Sequence, residues 1–225
     1  MHVNLEARAA AAEQRRNRTR ARLLDAAMRV VAEKGAPGLS VSDVAAAAGL
    51  SRGAFYNYFP TPDDLMIAVT EKMTSDVLDE LRVELAGVED PAEWLAAGCL
   101  KFIEKCLKDP LWGWARLRLD GTGAPPPAPV VEHFTQLYRQ GVQAGRFTPG
   151  SVTAALSLAL GSLRMVVRLR LTTGLDAKAD VGAETITLVL TGLGLPRPEA
   201  QAILFRIGER QARTQSQDAP SLDNA

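Results

Sequence analysis

Residues 52–59 read RGAFYNYF and put a guanidinium, two phenols and a carboxamide on one short segment, beside two further rings. An arginine fork can bond guanine O6/N7 or a phosphate, an asparagine amide can reach a base edge, and a phenol can bond a phosphate. Gly53 carries no side chain to hold that face away from a partner, so backbone can approach closely. Arg52, Gly53, Tyr56, Asn57 and Tyr58 are therefore candidates for reading duplex DNA. A small helical hairpin with an aromatic core and a surface arginine would use the same residue types. Upstream, Arg15, Arg16, Arg18, Arg20 and Arg22 form a basic run. This run fits either a polyanion partner or a solvated, frayed helix start.

The elements that must position these groups are helical. Leu23, Leu24, Ala27, Val30 and Val31 share one face of a helix expected over residues 17–34, stopped by Gly35. Ser40 or Ser42 can cap a second short helix that runs to Ala48, and Gly49 makes the turn, where φ > 0 is expected. A third short helix is expected over residues 52–59. Two short helices joined by a tight turn, with a longer one in front, are the parts of a helix-turn-helix reader. Ala45 is small where the helices must cross, and Val44, Ala48, Leu50 and Phe55 form the wedge between them. Phe55 and Phe59, four residues apart, pack inward. Turn glycine, crossing alanine, wedge and basic run occur together, which favours the reader over the bare hairpin.

Residues 18–70, TRARLLDAAMRVVAEKGAPGLSVSDVAAAAGLSRGAFYNYFPTPDDLMIAVT, resemble the N-terminal domain of the TetR family of bacterial regulators. Over residues 85–215 the likeness is one of architecture. The resemblance implies an all-α fold with a three-helix DNA-binding domain and a larger helical domain for ligand binding and dimerisation. It implies a homodimer on a palindromic double-stranded DNA operator, acting as a repressor that a small-molecule effector releases; the alternative is a DNA-binding regulator without a small-molecule effector. Carried over by position, its DNA-facing residues are Ser40 and Ser42 on the second helix, then Arg52, Gly53, Tyr56, Asn57 and Tyr58. Tyr56 matches the family's phosphate-binding tyrosine, and Tyr58 stands where histidine is usual. Pro62 stands where the family commonly has a phosphate-binding lysine, so a charge worth about 0.9 in salt slope per subunit is missing. The arginine run is a candidate replacement, in the minor groove.

The expected division is an arm and reader over residues 1–60, a connecting helix over 61–84, a ligand and dimer domain over 85–213, and a disordered tail over 214–225. In the third part, Phe102, Cys106, Trp112, Trp114, Phe134, Tyr138 and Met165 are large or soft side chains suited to an apolar pocket, or simply to a core. Arg164 and Arg168 lie one turn apart, where they could hold a carboxylate or phosphoryl group, or belong to a solvated face. Residues 120–129, DGTGAPPPAP, form a loop. Helices over 151–173 and 179–193, with small residues beside leucines and valines, are suited to a four-helix subunit interface, or to packing within one chain.

Composition bounds the rest. The net charge of zero conceals nine basic and five acidic residues up to position 60, against 17 and 21 after it. No uninterrupted apolar run reaches the roughly 18 residues of a membrane span. The N-terminal segment lacks the apolar block of a secretory signal, so a cytoplasmic protein with no membrane partner is expected. Cys99 and Cys106 sit two helical turns apart, roughly 10 Å, too far for a disulfide. They are buried structural cysteines or a thiol sensor. With His2 and His133 alone, no His-rich metal site can be built, and no phosphate-binding glycine loop or nucleophile elbow appears. No cofactor is expected, and an enzyme or lipid-binding module lacks any acid, base or nucleophile constellation.

Overall fold

The computed structural model describes residues 2–120, 125–175 and 180–218, with side chains described between positions 7 and 213. The described residues form ten α-helices and one 3₁₀ turn, with no strand. They are α1 (His2–Lys34), the turn Ala36–Gly38, α2 (Val41–Ala47), α3 (Arg52–Tyr56), α4 (Pro62–Glu84), α5 (Pro91–Lys108), α6 (Pro110–Asp120), α7 (Ala128–Gln143), α8 (Val152–Thr173), α9 (Val181–Gly192) and α10 (Arg197–Asp218).

Three helix boundaries differ from expectation. α3 ends at Tyr56 and not at residue 59, because the chain tightens there into i, i−3 bonds from the Asn57 amide to Ala54 and from the Tyr58 amide to Phe55. α1 begins fifteen residues earlier than residue 17, because LEARAAAAEQ is rich in strong helix formers and no glycine or proline interrupts it before Gly35. α10 continues to Asp218, so the first part of the expected tail is helical, and residues 219–225 lie outside the described residues. Residues 121–124 of the expected loop and 179, the expected start of α9, also lie outside them.

The chain divides into two compact units. One is Met1–Ser75 with Asp109–Pro127, the other Asp76–Lys108 with Ala128–Ala225. α4 contributes its first half to one unit and its second half to the other.

In the first unit, α1 packs on α2 and, more extensively, on α6. Leu23, Leu24, Ala27, Val30 and Val31 are buried on the inner face of α1, and Leu65 and Val69 are buried on α4. From α6, Arg118 donates to the carbonyls of Val31 (3.3 Å) and Ala32 (2.6 Å) in the last turn of α1; the Val31 carbonyl also accepts from the Gly35 amide at 2.9 Å. Its guanidinium also lies 5.6 Å from the centre of the Trp114 ring. By sequence, residues 111–119 are only a short tryptophan-rich segment, whereas in the fold they brace α1.

In the second unit, α5 is central and packs against α7, α8, α9 and α10. Buried Glu93 near the start of α5 accepts from Arg206 Nε (3.1 Å) and Arg210 Nη2 (2.8 Å) of α10. Asp90 accepts two hydrogen bonds from Arg146, at 3.1 and 2.9 Å, and Arg146 also pairs with Glu199. The rings of Phe134, Tyr138 and Phe147 stack in series, with centres 6.2 and 5.9 Å apart. Gly141 is obligatory beside them, since a Cβ there would fall 2.0 Å from Phe147 Cδ2.

α8 is long and apolar enough to cross a membrane by length and composition, although no run within it is unbroken. Leucine, valine and alanine outweigh its serines and arginines. Only 28% of that apolar window is buried. Ala155, Ala159, Leu163, Val166 and Val167 face inward, while Leu158, Met165 and Leu169 are exposed.

Candidate nucleic-acid interface

The reader is built from caps, a turn and a wedge. Ser40, not Ser42, caps α2: its hydroxyl accepts from the Asp43 amide (3.1 Å) and donates to the Asp43 carboxylate (2.9 Å). Lys34 approaches the same carboxylate at 3.0 Å. The Lys34 hydrogen bond first, then the Ser40 hydroxyl, holds the Asp43 carboxyl below its ordinary range. Ser42 is exposed as the second residue of α2.

Gly49 takes φ +66°, a left-handed conformation that permits the turn. Leu50 N–H donates back to the Ala45 carbonyl at 2.8 Å. From α1, Arg22 donates to the Ala48 carbonyl at 2.5 Å, which ties the front helix to the same turn. Ser51 then starts α3 by accepting from the Ala54 amide at 3.1 Å.

Val44, Ala45 and Ala48 are buried in the wedge, and Leu50 is half-buried. Phe55 is 0% exposed and Phe59 3%. The Phe55 ring meets Tyr56 edge-on at 5.3 Å and Phe59 at 6.0 Å. The spacing of four between the two phenylalanines thus puts both rings inside.

The opposite face of α3 is open. Arg52, Tyr56 and Asn57 are exposed, and among the described residues no protein group hydrogen-bonds their side-chain polar atoms. Tyr58 is half-buried, with the Arg16 guanidinium 5.9 Å from its ring centre. Arg20 lies 5.3 Å from the centre of the Phe59 ring. That the arginine run of α1 reaches the end of α3 is not visible in the sequence. The one available signal is the i, i+4 spacing of Arg16 and Arg20 in register with the buried face.

Gly53 is informative for a different reason. It sits inside a five-residue helix, with φ in the ordinary helical region. A Cβ there would come no nearer than 4.0 Å to the Ser51 Oγ. Among the described residues nothing needs glycine there, and glycine is a poorer helix former than alanine, by up to about 1 kcal/mol in a helix interior.

Residues 23–69 match the family described as bacterial regulatory proteins, tetR family, and residues 90–206 match the tetracyclin repressor-like C-terminal domain. The second match alone covers more than half of the chain. The chain belongs to the TetR family. Among relatives, the HTH-type regulator YvdT of Bacillus subtilis is 38% identical over 69 residues, 31% of this chain and 36% of that one. CymR of Pseudomonas putida is 40% identical over 68 residues, 30% of this chain and 34% of its own length. These matches span about a third of the curated relatives. Solved structures extend further. RolR in complex with resorcinol aligns with a TM-score of 0.61 and 28% identity, covering 85% of this chain and 95% of that one. RolR without ligand aligns at 0.64 and 26%, covering 81% and 95%.

The ligand-site candidates of this TetR-family chain are divided between the two compact units. Trp112 and Trp114 belong to the compact unit that holds the reader. Phe102, Cys106, Phe134, Tyr138, Met165 and Arg168 belong to the other. Within that unit Cys106, Phe134 and Tyr138 are buried and Phe102 is half-buried, whereas Met165 is 54% exposed and Arg168 is exposed. The helical period explains this: positions 163, 166 and 167 of α8 take the inner face, so 165 and 168 turn outward. The Tyr138 hydroxyl is already engaged, donating to the Thr148 carbonyl at 2.9 Å. Burial pushes the Cys99 thiol up to about 12, opposite to the lowering that marks a reactive cysteine.

Proposed function

We propose that the protein is a sequence-specific, ligand-responsive transcriptional regulator. It binds a palindromic operator as a homodimer and represses until a small molecule releases it. The DNA-binding half rests on Gly53: a glycine that the fold does not require, in the middle of a face where Arg52, Tyr56 and Asn57 stand exposed with no internal polar partner. A face of that kind fits the major groove, with Ser40 and Ser42 of α2 toward the flanking phosphates.

Gly53→Ala tests this directly. The melting temperature is expected to hold or rise, because alanine favours the helix. Affinity for duplex DNA is expected to fall, because the methyl group intrudes where the backbone meets the groove. Unchanged binding would remove the main support. A second pair separates positioning from specifying. Tyr56→Ala should weaken binding to every duplex alike, while Asn57→Ala should alter sequence preference by about 1–3 kcal/mol at one base position. Selected-sequence binding assays read both, and identical profiles for the two variants would refute the division.

The dimer reading is supported by the exposed apolar face of α8 (Leu158, Met165 and Leu169) and by Leu188 on α9, which is 63% exposed. Two helices from each subunit can close over such a face as a four-helix interface. The effector reading is supported by analogy. RolR has been solved with resorcinol, and a FadR from Bacillus subtilis with stearoyl-CoA. For this chain we assign Phe102, Cys106, Phe134 and Tyr138 to the surroundings of a largely apolar site.

A further inference from the structure

We propose that Arg16 and Arg20 form a second DNA-phosphate site, held in place by the rings at the end of α3. The proposal rests on the DNA-reader interpretation given above and specifies where a further part of the phosphate backbone is held.

Arg16 and Arg20 continue the inner face of α1: positions 16, 20, 24, 27 and 31 recur at helical spacing, and the last three are buried. At 16 and 20 an apolar side chain would be expected, and arginine stands there instead. Each guanidinium lies over an aromatic ring, Arg16 over Tyr58 and Arg20 over Phe59. Neither is paired with a carboxylate among the described residues. Two like charges one turn apart repel weakly, and an anion that joins both relieves that repulsion.

A ring beneath a guanidinium restrains its position and leaves the in-plane N–H groups free. Such groups match phosphate oxygens in a bidentate fork. The restraint also lowers the ordering cost of binding. Tyr58 directly follows Asn57, so the Arg16 charge borders the exposed face of α3. α1 supplies a further basic stripe, with Arg8, Arg15, Arg22 and Arg29 at intervals of seven, and its residues 7–18 are exposed to solvent. The anion that fits this setting is the backbone of the duplex that α3 reads. The site also restores positive charge near the start of α4, where Pro62 brings none.

The test measures binding of the full chain to a fluorescently labelled, mixed-sequence DNA duplex over a series of salt concentrations. Bonds to phosphate do not depend on sequence, so no operator is needed. For Arg16→Gln and Arg20→Gln, the slope of log K against log salt should fall by about 0.9 for every phosphate no longer neutralised in each engaged subunit. Arg16→Lys and Arg20→Lys keep the charge and should keep the slope. Arg139→Gln, an exposed arginine of the other unit, should match wild type. Tyr58→Phe keeps the platform and should bind better than Tyr58→Leu, which removes it. Circular dichroism confirms that each variant is folded.

Glutamine variants with wild-type slopes would overturn the site, as would a glutamine effect no larger than that of Arg139→Gln. If the wild type showed no salt-dependent binding to any duplex, the DNA-reader interpretation would fail and this site with it. Wild-type binding alongside unaffected glutamine variants removes the arginine site alone.

Discussion

Phe55→Ala is expected to destabilise the reader by about 3–5 kcal/mol, the usual cost of truncating a fully buried aromatic side chain. A loss of that size is comparable with the whole stability of many small domains. The Phe55 ring is fully buried, touches both Tyr56 and Phe59, and is the largest apolar group that α3 sends into the unit. α3 has only five residues, too few to stand as a helix by itself. Without the ring it should detach from the wedge of Val44, Ala45 and Ala48 and carry Arg52 and Asn57 out of register. Duplex binding should then disappear at temperatures where the wild type still binds, whereas Phe55→Leu should retain part of both. Thermal melting and a binding assay on the same samples check this. A variant that melts and binds like wild type would show that the ring does not brace the helix.

The second large effect concerns Glu93. Its carboxylate belongs to a residue only 4% exposed and is satisfied by Arg206 and Arg210, whose side chains are 46% and 34% exposed. The partners are therefore unequal. Glu93→Ala leaves two arginines that can turn to water, and should cost about 2–3 kcal/mol. Arg206→Ala with Arg210→Ala instead strands a buried negative charge, and should cost about 3–5 kcal/mol. Adding Glu93→Ala to that double variant should restore stability, so the triple variant melts above the double. Chemical denaturation of the set measures it. A triple variant less stable than the double would mean that the Glu93 carboxylate has support beyond these two cations.

The difference between those residues also marks where the sequence is legible. Short-range signals carry the reader: Gly49 at the turn, the spacing of Phe55 and Phe59, and small Ala45 at the crossing all act within a few residues. Glu93 gives no such signal. An acid in the first turn of a helix normally serves the helix dipole at the surface, and its two partners lie more than a hundred positions away. Arg118 is hidden for the same reason, since its acceptors at Val31 and Ala32 are 87 and 86 positions distant. Size and charge group Met165 and Arg168 with pocket residues, and only the phase of α8 reveals that they face outward. The early start of α1 is obscured by its density of arginines, which suggests fraying, although its alanines favour helix throughout.

α6 lies in the same compact unit as α1, and this shapes how the protein can be cut. Between its ends the polypeptide passes from one unit to the other three times, at residues 75–76, 108–109 and 127–128. A fragment ending at Ser75 would lack Arg118 and bare the side of α1 that α6 covers. Chimaeras that graft this reader onto a foreign sensor by a single splice in α4 should therefore aggregate or melt early. Those that also transplant residues 109–127 should stay soluble, which makes the returning helix the practical unit of exchange in engineering this protein.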